Sequence, residues 1–278
     1  MRNLLLVPLS LAILLLTTTG CVIHLGDWGA KEWVQETEAF EVDRAELTSV
    51  SCTTHNGDVA MVGTEDAAKI RVHVERRAGG SSVKEAREAM ANIEILHKRV
   101  DGGLGLAWRW RETPSRSWRA VVGFRVEQPR DLPAKAVTHN GEITCTDLHA
   151  GVTARSHNGD VAVQGARGAL DAMSYNGSVK ATAASAKVSV VSHNGNLRVS
   201  LEGDGPVDGK IETHNGSVVV SLPAEPSTAL VCSSHNGRVR SVRSLPNAAA
   251  GRSSLSAVLG KGEGRLAVLT HNGSVRIE

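Results

Sequence analysis

Along most of the chain, small or apolar side chains alternate with polar ones, the period-two pattern of a strand with one face buried. The alternation is locked to a repeated unit, small-x-Asn-Gly, which recurs eight times with its asparagine at 56, 140, 158, 176, 194, 215, 236 and 272. The separations are 84, 18, 18, 18, 21, 21 and 36 residues. Two residues before each asparagine stands Thr or Ser, such as Thr138, Ser156 and Ser174; three after it stands Val, Ile or Leu, such as Ile143, Val161 and Val218. These columns are uniform and so face inward. The position three before the asparagine is mixed, with Val137, Arg155, Met173 and Glu212, and belongs to solvent. Each unit reads as strand, Asn-Gly corner, strand.

Asn-Gly often marks a two-residue hairpin turn, which makes an antiparallel meander the competing arrangement. A meander does not require the same residue at the same offset every 18 positions. Stacked coils do, because each lies about 4.8 Å above the last and meets identical neighbours. The spacing therefore predicts an all-β, single-domain β-solenoid, β-helix-like, with parallel stacked coils of 18–21 residues. The predicted corners are Asn140-Gly141, Asn158-Gly159, Asn176-Gly177, Asn194-Gly195, Asn215-Gly216 and Asn236-Gly237. Their roles are structural: stacked carboxamides bond along the corner, glycine supplies backbone freedom, and the inward hydroxyl satisfies a corner backbone group.

Loops lengthen at 202–209 and 222–228 while the strands keep register, and 240–265 reads equally as a decayed repeat or one long loop. Residues 64–130 form an insertion after the first repeat. It contains a strand at 69–75 and a short helix whose Ser82 and Glu85 are spaced as a capping box. Two further alternating stretches, 103–111 and 117–129, are expected to form a β-hairpin around Thr113-Pro114-Ser115. Trp108 and Trp110 share one face there, with Arg109 and Arg111 on the other. That pairing of aromatic and basic residues suits stacking on nucleic acid, but the expected role is a plug over an open solenoid end.

The chain opens with Arg2, an apolar run from Leu4 to Leu16, and small residues ending at Gly20-Cys21. This is the pattern of a secretory signal, too short for a span of about 20 apolar residues. It resembles the bacterial lipobox, in which the cysteine thiol receives a diacylglycerol and becomes the first mature residue; Thr18 stands where that motif usually has Leu. An ordinary signal with a cysteine nearby is the competing reading. The expected organisation is a lipoprotein signal peptide at 1–20, a lipidated N-terminus with linker at 21–35, and the repeat domain at 36–278. Cys21 is the expected lipidation (palmitate-bearing) site, and the expected location is the cell envelope, at the outer membrane or periplasmic face. Net charge is only +2, which carries no nucleic-acid footprint. Cys52, Cys145 and Cys232 lack zinc or redox spacing, and their odd number leaves at least one thiol free.

No G-x-S-x-G, H-E-x-x-H or phosphate-binding glycine loop is present. Glu142 and Asp160 fall on neighbouring coils but read as solvated corner acids, so no enzyme and no cofactor are expected. One outward column is nearly uniform: His55, His139, His157, His193, His214, His235 and His271 immediately precede the corner asparagine, with Tyr175 in the fourth of the eight units. Imidazole is the commonest metal ligand, which makes His139, His157, His193, His214 and His235 a candidate ligand row. Against a metal stands its need for three or four converging ligands with supporting hydrogen bonds; repeats copied by duplication would carry the same residue anyway.

The series of small-x-Asn-Gly-x-Val units, the helix-and-strand insertion after the first of them, VEQPRDLPAKAVTHNGEI before the main repeats and the closing GKGEGRLAVLTHNGSVRIE together resemble a bacterial putative-adhesin family of β-strand repeats, a domain of unknown function. The resemblance covers roughly 36–278. It implies a β-solenoid on the cell envelope, often lipid-anchored, and supplies no catalytic residues. The expected function is a non-catalytic envelope lipoprotein with an adhesin-like or scaffold surface. Its expected partners are the membrane, through the lipid, and an envelope protein or polysaccharide, with no nucleic acid. The alternatives are a metal-binding or pH-responsive envelope protein using the histidine row, and a polysaccharide-active β-helix enzyme.

Overall fold

The computed structural model describes residues 21–23, 30–66 and 68–278; the expected signal segment, 1–20, lies outside them. Period-two alternation produces strands, and the corners sort those strands into two twelve-stranded sheets. The strand before each asparagine joins one sheet and the strand after it joins the other. Thus Val152–Asn158 runs parallel between Ala134–Asn140 and Leu170–Asn176, while Val161–Ala166 runs parallel between Ile143–Thr146 and Val179–Ala183. Register is fixed by the repeat: Asn140, Asn158, Asn176, Asn194 and Asn215 are partners in succession. The β-solenoid expected from the spacing is the fold.

The core lies between the sheets and is filled by the predicted inward columns. Ala154, Val161, Val190, Leu197, Ile211 and Val218 are all buried, whereas Arg155 is exposed. Each such Val, Leu or Ile side chain contributes about 1.5–3 kcal/mol on burial. A one-residue slip would move every one of them to solvent, which is why register is held so strictly.

The insertion builds the N-terminal end of the stack. Lys69–Gly80 pairs antiparallel with both Glu32–Asp43 and Arg119–Pro129. The helix Val83–Ala91 packs on Lys69–Gly80 through Ala86, Ala89 and Met90. Its start is capped as its sequence predicts: the Ser82 hydroxyl accepts from the Glu85 N–H at 3.2 Å, and the Glu85 carboxylate accepts from the Ser81 N–H at 2.8 Å.

The hairpin, however, lies one strand earlier than expected. Ile93–Val100 pairs antiparallel with Gly103–Trp110 around Asp101-Gly102. Gly103–Trp110 then runs parallel to Val50–Thr53 in one sheet, and Arg119–Pro129 runs parallel to Val59–Thr64 in the other. These two stretches form another coil of the stack, one without an Asn-Gly corner. The boundary at 35 also moves, since Glu32–Asp43 is already a strand with Trp33 and Val34 buried, and Cys21–Ile23 pairs antiparallel with it.

At the other end, chain order and stacking order part company. Gly264–Asn272 inserts between Asp208–Asn215 and Thr228–Ser234. Val275–Ile277 likewise inserts between Val218–Ser221 and Val239–Ser241. The last coil in sequence is therefore the last but one in space. Residues 240–265 are neither a decayed repeat nor a plain loop: Ser254–Leu259 pairs antiparallel with Thr228–Ser234 and with Ala249–Ala250, closing that edge.

Candidate binding surface along the corner column

From the second Asn-Gly unit on, each corner is built by the same two side-chain bonds. The carboxamide of each asparagine donates from Nδ2 to Oδ1 of the asparagine one coil before, at 2.7–2.8 Å, in the order Asn56, Asn140, Asn158, Asn176, Asn194, Asn215, Asn272, Asn236. The inward hydroxyls of Thr138, Ser156, Ser174, Ser192, Thr213, Thr270 and Ser234 donate to the corner glycine carbonyl of the coil before, at 2.7–2.9 Å. That carbonyl comes so close that a Cβ on Gly159 would sit 2.0 Å from the Gly141 oxygen, and Gly159 also has φ +149°. The corner residues are thus committed to structure.

Outside this frame the preceding residues form one continuous stack of rings. Centroid separations run from 4.5 to 5.0 Å and interplanar angles from 5° to 17° along His55, His139, His157, Tyr175, His193, His214, His271 and His235. The expected row His139, His157, His193, His214, His235 is present, with three differences. His55 and His271 belong to it, Tyr175 continues it, and His235 stacks on His271 instead of His214 because of the inserted C-terminal coil. Most of these rings are exposed, while His193 is half-buried with its Nδ1 enclosed and unpartnered. Nearly parallel rings aim their nitrogens side by side and not at a shared centre. Among the described residues no group of three or more His, Cys, Asp or Glu is placed to hold a metal ion.

Two acids of the next outward column, Asp58 and Asp160, serve the backbone. Asp58 Oδ1 accepts from the Glu142 N–H and Asp160 Oδ1 from the Ser178 N–H, both at 2.8 Å. The ring stack ends at His55 in an open cleft of about 590 Å³ lined by Trp108, Trp110, Trp118, Arg109, Arg119 and Asn56. Trp108 Nε1 donates to Thr54 Oγ1 at 3.1 Å, fixing the ring beside the first corner. Arg109 is paired with Glu94 at 2.6 Å, so its charge is balanced within the chain. Nothing in the order of the sequence marks this cleft, because its walls come from the first repeat and from a coil that lacks the repeat motif.

Cys52, Cys145 and Cys232 are all free and buried. Burial pushes the Cys145 and Cys232 thiols up to about 12; it raises Cys52 further, with a smaller contribution from Cys145 beside it. They are core side chains and weak nucleophiles. The described residues include no helix long and apolar enough to cross a membrane.

No curated protein matches the chain. A solved "putative cell adhesion protein" from Clostridium sporogenes is 12% identical, with 87% of this chain and 98% of that one covered and a TM-score of 0.31. A "putative adhesin" from Bacteroides fragilis is 12% identical, with 87% and 97% covered and a TM-score of 0.42. A "putative lipid binding protein" from Parabacteroides distasonis is 10% identical, with 87% and 96% covered and a TM-score of 0.28. The family described as Toastrack DUF4097 matches residues 133–278, more than half of the chain and the whole run of regular coils. The chain belongs to the Toastrack DUF4097 family.

Proposed function

We propose that the protein is a non-catalytic binding module of the bacterial cell envelope. A lipid on Cys21 holds it to a membrane, and the outward surfaces of its solenoid engage an envelope protein or polysaccharide. The observation that carries the binding role is the ring stack. Eight side chains that the fold does not require to match are aligned along the length of the repeats, six of them exposed and His139 and His193 half-buried. The corner residues beside them are used up by the backbone, so selection for stacking accounts for the asparagine and glycine but not for the exposed ring. Of the corner acids, Asp58 and Asp160 are engaged in accepting from backbone N–H groups.

The anchor reading rests on the Leu4–Leu16 run and Gly20-Cys21. Fractionation of cells producing wild type or Cys21→Ser tests it. Wild type is expected in the membrane fraction with lipid mass on its N-terminal peptide, and the variant is expected released or with its signal uncleaved. A wild-type chain that stays soluble and carries no lipid mass overturns it.

A further inference from the structure

One column on the outer face of the sheet that follows the corners is basic. Lys180, Arg198, Val219, Arg276 and Arg240 occupy equivalent positions on five consecutive strands. The four cations are exposed, and strands about 4.8 Å apart carry them along a straight strip roughly 20 Å long. Arg238, two residues before Arg240, extends the positive edge toward the corner. Arg276 pairs with Glu278 at 2.8 Å. Among the described residues Lys180, Arg198, Arg238 and Arg240 form no ion pair, in contrast to Arg44, Arg109 and Arg155 elsewhere on the surface.

Like charges at neighbouring positions repel, a cost that an opposite charge from outside the chain removes. Beside the cations runs a column of hydroxyls, Thr182, Ser200 and Ser221, on the same face; the last of them, Ser221, donates to Glu278 at 3.4 Å. The strip has no aromatic side chain on which nucleobases could stack; its one apolar member, Val219, is half-buried, and Val242, two residues after Arg240, is a single exposed aliphatic side chain, too little to anchor in a bilayer. It lies on the edge strands opposite Cys21–Ile23 in the sheet, so a lipid at Cys21 leaves it at the far end of the stack.

We infer that this strip binds an extended acidic polysaccharide. The sugar carboxylates lie on the unpaired Lys180, Arg198 and Arg240, and the sugar hydroxyls bond to Thr182 and Ser200. A linear polymer suits the site because a sugar unit is comparable in length to one strand spacing, so a chain laid along the strip meets its cations at whole numbers of units. The inference rests on the proposed function only in taking an envelope polymer as the ligand.

Binding of the detergent-solubilised full chain to polygalacturonate tests it, with dextran as the neutral comparison. Wild type is expected to bind polygalacturonate and not dextran, more weakly as salt screens the charges. The Arg198→Ala/Arg240→Ala variant is expected to bind roughly tenfold more weakly while melting at or above the wild-type temperature at low salt. Lys135→Ala, on the other sheet, is expected to match wild type. Unchanged affinity in the double variant overturns the inference. So does a fall in its melting temperature, which would make the cations structural, and so does equal affinity for dextran, duplex DNA or anionic vesicles. The assay reads purified protein, so a chain found outside the membrane fraction would sink the anchored reading and leave this one standing.

Discussion

At the scale of single residues, each corner glycine answers to the coil beneath it as well as to its own turn. In Gly159→Ala the new methyl would press on the Gly141 carbonyl at 2.0 Å in a left-handed backbone conformation. The expected loss is at the high end for point substitutions, about 3 kcal/mol or more. Arg155→Ala, one strand face away, removes only an exposed pair with Asp171 and should cost at most about 1 kcal/mol. Equilibrium denaturant unfolding checks both, and equal losses would contradict the corner assignment. Asparagine, glycine and hydroxyl were legible in the sequence because stacking repeats them at fixed offsets. The partner of each hydroxyl was not, since an offset within one coil does not say which group of the next coil it meets. The buried thiols give a second outcome at this scale. Their folded-state values lie above those of the unfolded chain, so the stability they contribute is complete below about pH 8.5. It is lost as pH rises toward the folded values, about 12 for Cys145 and Cys232. The melting temperature should therefore decline above that pH, and Cys52, Cys145 and Cys232 should resist alkylation until the chain unfolds. Alkylation of native protein at the rate of an exposed thiol would contradict their burial.

At the scale of elements, the period of two determined which face of each strand is inward but not which strand is its neighbour. Val218 and Val219 are adjacent in sequence and opposite in fate, the first fully buried and the second outward. Val218→Asp buries an unpaired charge and is expected to abolish cooperative folding at ordinary temperature, whereas Val219→Asp should shift the melting temperature little and can pair with Arg198 or Arg276. Circular dichroism melts of the two variants decide the matter; comparable destabilisation would mean the face assignment is wrong. The helix was legible from Ser82 and Glu85 because capping is local. The strands Gly103–Trp110 and Arg119–Pro129 alternate as a hairpin would, and their assignment to different sheets depends on contacts with Val50–Thr53 and Val59–Thr64 that lie far away in sequence.

At the scale of the whole molecule, the decisive feature is the order of coils. Reading repeats in chain order placed His235 beside His214, yet the C-terminal coil enters between them and brings His271 into the row. The same insertion places Arg276 between Val219 and Arg240, so the basic strip as well as the ring stack depends on it. No local pattern encodes this, because every coil presents nearly the same corner and the choice is made by the antiparallel strand Ser254–Leu259, which occupies the far edge of Thr228–Ser234 and leaves only its inner edge free. Residues 222–227 connect the two strands across the gap. Engineered disulfides test this order directly. In-register neighbours on adjacent parallel strands lie about 4.8 Å apart at Cα, within the range of about 4.4–6.8 Å that a disulfide bridges. In a background with Cys52, Cys145 and Cys232 changed to Ala, His214→Cys/His271→Cys is expected to oxidise to a single intramolecular bond in folded protein, and His214→Cys/His235→Cys, two coils apart, is expected to stay reduced. A bond in the second pair and none in the first would contradict the stacking order on which both proposed binding surfaces rest.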